Sequence, residues 1–257
     1  MTGPSLVEVA ELAVPYTLAR LRPVLPPAPA RLLEVGAGSG ALAAALHALG
    51  YAVTAVEPDP ESARACAARG LEVVAAPFER AELGDAYDAV LFTRVLHHLP
   101  APADAVRRAA GLSRLIVVED FARDEVDLPA AGFVSDARAV LAAAGLLPDE
   151  PAGAPADPLA RWRDVPAELL PIHPGRAVLA ALAAGAAVRE VVRTEMLWRL
   201  VLHSVRLPAE RFISLADTLR GIELRRIAEL TLPAIGIFAA ATVPSCPPDD
   251  HRVVVAS

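Results

Sequence analysis

The chain has 257 residues and a net charge of −7, with 54% hydrophobic against 21% charged residues. That length and apolar fraction suit one α/β domain with a packed core and exclude a largely disordered chain. All 24 basic residues are arginine, and there is no lysine, asparagine or glutamine, which excludes Schiff-base lysine chemistry, Gly-Lys phosphate loops and Tyr-x-x-x-Lys dehydrogenases.

Residues 6–22 read as helical with an interruption at Pro15, and the proline-rich PVLPPAPA then connects to a first strand, Arg31–Val35. From there apolar runs and alanine-rich helical stretches alternate, the pattern of a parallel sheet with crossover helices. The expected order is helix Ser39–Leu49, strand Ala52–Val56, helix Pro60–Arg69 and strand Leu71–Ala75, then strand Ala89–Thr93, helix Pro102–Ala110 and strand Leu115–Val118. PDEPAGAPADP, from Pro148 to Pro158, reads as a linker or long loop. Beyond it, PLARWRDVPAELL and PGRAVLAALAAG read as helices, Val188–Val192 as a sixth strand and Ala234–Val243 as a seventh. Helices are expected around Glu195–Val205 and Pro208–Glu229, and a tail from Pro244.

Two cysteines far apart, Cys66 and Cys246, form neither a disulfide framework nor a zinc or iron–sulfur spacing. An acidic chain lacks the basic field that nucleic-acid binding needs, although Arg220, Arg225 and Arg226 could form a local stripe or simply a solvated helix face. No stretch reaches the ~20 apolar residues of a spanning helix. The acidic start of the chain, MTGPSLVEVAELAV, has no basic region before its apolar residues, so the expected compartment is the cytoplasm.

The most informative segment is Leu32-Leu33-Glu34-Val35-Gly36-Ala37-Gly38-Ser39-Gly40, a strand running through a glycine-rich turn into a helix. Glycine lets such a turn take positive φ and lets a ligand approach the backbone, while the helix start offers unpaired N–H groups. An acid two positions before the first glycine (Glu34) and an acid ending the next strand (Glu57, in AVTAVEPD) sharpen the pattern. A carboxylate at the second strand's tip can accept both hydroxyls of a ribose.

Four segments in this order, LLEVGAGSGALAAAL, TAVEPD, YDAVLFTRVLHHLP and LIVVED, resemble the class I S-adenosylmethionine-dependent methyltransferases, especially those acting on small molecules. The resemblance covers roughly residues 30–125 and is loose beyond. It implies an α/β Rossmann-like fold: a mostly parallel seven-stranded sheet flanked by helices, with a helical cap. The whole chain, 1–257, would be a single domain, with residues 30–125 as the cofactor-binding half and about 150–230 as the acceptor side. A nicotinamide-binding domain would share the logic of Glu57; Glu34 and the LHHLP after the fourth strand favour the methyltransferase.

The resemblance also implies roles. Gly36, Gly38 and Gly40 would pass under the methionine and ribose of S-adenosyl-L-methionine, Glu34 would fix the loop or hold the ligand's amino group through water, and Glu57 would bind the ribose. Adenine would lie near Phe78 and Glu79, where the usual aspartate is replaced by Ala76, and Thr93 would border the methionine moiety. Methyl transfer needs the acceptor in line and, for a hydroxyl, a base. His98 and Asp120 are the candidates, beside His97 and Glu119, each with packing or capping as its alternative role. No metal is expected, because the metal-dependent relatives use further ligands and a lysine. The acceptor pocket would draw on Tyr16, Trp162, His173, Trp198, Arg199 and His203 for a small organic acceptor, methylated at oxygen, with no nucleic-acid or membrane partner and a homodimer left open. The competing function is a protein of the same fold that binds the cofactor without methylating.

Overall fold

A computed structural model of the chain describes residues 6–7, 9–84, 86–147, 156–163, 172–205 and 207–243. Its centre is a seven-stranded sheet in the order β4-β3-β2-β5-β6-β9-β7. These strands are β2 (Arg31–Val35), β3 (Ala52–Val56), β4 (Glu72–Val74), β5 (Ala89–Thr93), β6 (Leu115–Phe121), β7 (Ala187–Thr194) and β9 (Gly236–Thr242). β9 runs antiparallel to both of its neighbours, and the other pairings are parallel. The expected fold class therefore holds.

Strand residues alternate between two cores. Leu33 and Val35 of β2, Val90 and Phe92 of β5, and Ile116 and Val118 of β6 point to one face, covered by α5 (Pro102–Leu112) and α8 (Gly175–Gly185). Leu32, Leu91 and Val117 point to the other, where α2 (Val14–Leu21), α3 (Ala41–Ala48) and α4 (Pro60–Ala68) supply Leu21, Leu46 and Cys66. Burial on both faces is why β5 is apolar at nearly every position. A third cluster, around Trp198, Phe212 and Phe133, belongs to the cap formed by α6 (Leu128–Ala143), α9 (Leu197–Leu202) and α10 (Ala209–Ala228).

The sheet order reverses between β2 and β5, and the connections from these two strands leave in opposite directions. This opens a crevice at their carboxyl ends, the usual ligand position in such sheets.

Several expectations need correction. Helix α6 was not among the expected elements. It buries Ala130, Phe133, Val134, Arg138 and Leu141 around much of its circumference, so no single apolar stripe marks it. The N-terminal helix divides into α1 (Val9–Leu12) and α2, with Pro15 inside the first turn of α2, where proline costs no hydrogen bond. Before it, β1 (Leu6–Val7) pairs antiparallel with β8 (Leu207–Pro208). Of PLARWRDVPAELL only Ala160–Arg163 is described as helix, α7. Residues 148–155 of the expected linker, 164–170, and the tail from 244 with Cys246 lie outside the described residues.

Candidate cofactor and acceptor site

The glycine turn has the geometry its sequence calls for. Gly36, Gly38 and Gly40 all take positive φ, +68°, +56° and +77°. A Cβ on Gly36 would lie 2.4 Å from Val95 and one on Gly40 would lie 2.8 Å from the Cys66 sulfur, whereas one on Gly38 would meet nothing within 4 Å. Two glycines thus serve packing against the neighbouring loop and helix, while the middle one faces open space.

Glu57 leaves the tip of β3 and turns its carboxylate onto this turn. Its Oε2 accepts from the Gly38 N–H (2.8 Å) and its Oε1 from the Asp59 N–H (2.9 Å). Asp59 in turn caps α4 by accepting from the Ser62 N–H. The turn is therefore tied to the second crossover as well as to its own strand.

Glu34 lies beneath, on β2. Its Oε1 accepts from the Thr93 hydroxyl at 3.2 Å, across the strand pair, and its Oε2 is buried with no hydrogen-bond partner among the described residues. Burial pushes its carboxyl up to about 7, against the smaller opposing effects of the Thr93 hydroxyl, Arg94 and the Ala43 N–H, which faces it from α3 without completing a hydrogen bond to Oε2. A buried carboxylate with an unmet oxygen beside an open glycine turn fits a ligand that carries an ammonium group. Glu57 and the turn's free space fit its ribose.

Phe78 is core. It is 2% exposed, packs edge-on to Phe92 at 5.8 Å and has Arg108 over its ring. That placement leaves little of the ring for stacking on adenine, while Glu79 is exposed beside it.

On the other side of the crevice the LHH segment forms a single 3-10 turn, Leu96–His98. Asp120, fully buried, accepts from the His97 N–H (3.1 Å) and from the Phe121 N–H (2.9 Å), and its Oδ1 lies 2.5 Å from His97 Nδ1. The His97 ring packs against Phe121 at 4.9 Å and against His98 at 4.0 Å. Asp120 thus grips the turn from below, and His98 sits on its exposed side. His173 joins them through its N–H to the His97 carbonyl (2.8 Å) and its imidazole to the Leu99 carbonyl (3.0 Å).

Glu119, the residue before Asp120, is the hub of a separate cluster. Its carboxylate takes the Thr17 hydroxyl (2.7 Å), Arg20 (2.8 Å), Arg94 (2.8 Å) and Arg199 (3.2 Å). Burial alone would raise its pKa, but the guanidiniums of Arg199, Arg94 and Arg20, with the Thr17 hydroxyl, hold it below the usual carboxylate value. Glu195 pairs with Arg20 and with Arg220 (2.7 Å). Tyr16 packs edge-on to Trp198 at 5.1 Å and donates to Asp217, and burial followed by that carboxylate pushes the phenol up to about 12.

A family model described as "Methyltransferase domain" matches residues 10–178. The chain belongs to that methyltransferase family. The ubiquinone biosynthesis O-methyltransferase of Xanthomonas axonopodis pv. citri (strain 306) is 34% identical over 105 residues, covering 38% of this chain and 42% of that protein. The match to the curated relatives thus spans about two fifths of their length. The S-adenosylmethionine dependent methyltransferase of Mesorhizobium loti shares the fold, with a TM-score of 0.53 at 17% identity over 90% of this chain and 97% of that one. The cyclase SpnF shares it equally, with a TM-score of 0.53 at 14% identity over 90% of this chain and 81% of the other. The fold therefore hosts more than one chemistry, and function has to be argued from the site.

In this methyltransferase domain the expected cofactor residues Glu34, Gly36, Gly38, Gly40, Glu57 and Thr93 come together at the carboxyl edge of β2, β3 and β5. Of the expected acceptor residues, Tyr16, Trp198 and Arg199 meet in the cap. Trp162 lies under Arg123, and His203 is exposed beside Ser204. The sequence reading missed Thr17, Arg20, Arg94, Glu195 and Asp217. They come from four separate segments with no shared spacing, so nothing local in the sequence marks them as neighbours.

Proposed function

We propose that the protein transfers the methyl group of S-adenosyl-L-methionine to an oxygen of a small organic acceptor. The observation that carries this reading is the open glycine turn flanked by Glu57 on β3 and the half-satisfied Glu34 on β2. We read one carboxylate as the acceptor for a ribose, and the other, by its unmet oxygen, as the partner of an ammonium. The cofactor when bound supplies an electrophilic methyl on a sulfonium. The chain's residues hold it, place the acceptor and take up a proton. His98, on the exposed side of its turn, is the proposed base. Asp120 acts through His97 by fixing that turn, since it is buried under it. Oxygen as the accepting atom draws on the family and on the name of the Xanthomonas relative.

The acidic balance of the chain supports a free metabolite rather than a nucleic acid as acceptor. Among the described residues no helix is long and apolar enough to cross a membrane.

Calorimetry with S-adenosylmethionine and with NAD tests the cofactor. Formation of S-adenosylhomocysteine with a panel of phenols and hydroxy acids tests the transfer. Preference for NAD would overturn the first, and tight S-adenosylmethionine binding without turnover on any acceptor in cell extract would favour a non-methylating protein of this fold.

A further inference from the structure

Four guanidiniums gather around the carboxylates of Glu119 and Glu195. Arg20 comes from α2, Arg94 from the turn after β5, Arg199 from α9 and Arg220 from α10. Two carboxylates answer them directly, Glu119 and Glu195. Asp217 and Glu223 stand nearby, but the first accepts from the Tyr16 hydroxyl and the second from three backbone amides, Met196, Leu197 and Trp198.

The arginine donors are not used up. Arg199 has a side chain only 6% exposed, and its Nε and Nη1 are buried with no partner among the described residues. Buried donors left unpaired cost stability unless a ligand or water meets them. Arg94 and Arg220 keep about a third of their side chains exposed, 29% and 32%, so the cluster reaches solvent at each of these two residues.

The position is tied to the cofactor turn. Arg94 stands between Thr93, which donates to Glu34, and Val95, which fills the space beside Gly36. Arg94 itself holds a left-handed φ of +59°, a conformation that disfavours a residue with a side chain. That turn directs its guanidinium toward Glu119. Glu119 shows what this fork of donors grips: a planar carboxylate held by three guanidiniums.

We infer that Arg94, Arg220 and the unmet edge of Arg199 form a carboxylate-binding subsite that takes an acid group on the acceptor. The walls of the subsite are α9 and α10 of the cap, together with the turn after β5 that carries Arg94. Only the word acceptor rests on the methyl-transfer reading; the carboxylate site stands on the guanidiniums themselves.

Benzoate and its neutral isostere benzamide are the probes. Each is titrated into the protein, with and without saturating S-adenosylhomocysteine, at constant ionic strength, and followed by calorimetry and tryptophan fluorescence. Benzoate is expected to bind at least about tenfold more tightly than benzamide, and R94Q and R220Q are each expected to erase most of that preference. R107Q, on the far helix α5, should leave it unchanged. Benzoate binding unaffected by S-adenosylhomocysteine assigns the subsite to the acceptor. Competition between the two assigns it to the amino-acid carboxylate of the cofactor and overturns the acceptor assignment. Equal binding of benzoate and benzamide, no binding of either, or a preference that survives R94Q and R220Q overturns the subsite altogether. Cofactor binding by wild type, measured separately, shows whether the methyl-transfer reading fails independently.

Discussion

At Glu34 the chain buries a carboxylate and satisfies one of its oxygens. Because burial raises its pKa from the ordinary value to about 7, the folded chain holds a proton that the unfolded chain has already released between about pH 4.5 and 7. Stability from this group therefore falls as pH rises through that window. Glu34→Gln should flatten the fall, read as denaturant midpoints at pH 5 and pH 8. An ammonium-bearing ligand has the opposite preference, so S-adenosylmethionine affinity should rise from pH 6 to 8 in wild type and much less in the variant. Glu57 differs in kind. Its carboxylate already accepts two backbone N–H groups and would give up or share them on binding ribose. Glu57→Ala should weaken S-adenosylmethionine binding on the order of ten- to a hundredfold by calorimetry, the loss of charge-assisted hydrogen bonds of about 1.5–3 kcal/mol. Unchanged affinity would place the ribose elsewhere.

Among the elements, α9 shows how a short helix is fixed by a distant side chain. Its first turn offers the N–H groups of Met196, Leu197 and Trp198, and all three donate to Glu223 of α10, at 2.8, 2.8 and 2.9 Å. Burial raises the Glu223 pKa despite these bonds, because the group is taken out of water. Glu223→Ala should leave the three donors buried and unmet and cost roughly 2–4 kcal/mol, seen as a lowered melting temperature, with Tyr16–Trp198 packing loosened. The turn Leu96–His98 is the corresponding element that carries the proposed base. His98→Ala should lower turnover about 10²–10⁴-fold with cofactor affinity nearly unchanged. Asp120→Asn should instead act through the turn, and full activity of His98→Ala across pH 6–9 would remove His98 as the base.

Across the whole molecule Glu119 joins parts that the chain keeps far apart: α2, the turn after β5, β6 and α9. Its carboxylate is fully buried, so removing it leaves three guanidiniums facing one another. Glu119→Ala should cost about 3–5 kcal/mol of stability, measured by urea unfolding. Since its pKa lies below the ordinary value, the stability it contributes is complete above about pH 4.5 and lost only as pH falls through its folded value. Titration between pH 6 and 8 should therefore leave this contribution untouched, in contrast to Glu34.

The sheet and the cofactor turn were legible in the sequence because both are local. Strands buried on both faces read as mostly apolar runs, so β2, β3 and β5 were found at their observed bounds despite Glu34, Thr54 and Thr93. A turn that needs positive φ at three positions must place glycine there, as it does at Gly36, Gly38 and Gly40. The strand-end acids Glu34 and Glu57 follow from the same period. Helix α6 stayed hidden because it is buried on several sides and shows no single stripe, and the pairing of β1 with β8 is too short to leave a pattern. Only tertiary structure decided that Phe78 belongs to the core, that Asp120 grips His97 from beneath, and that Arg20, Arg94, Arg199 and Arg220 converge. Those outcomes depend on contacts between residues as many as 182 positions apart, as in the Arg199–Thr17 hydrogen bond. Backbone periodicity records the face on which a side chain lies but not the partner it meets there.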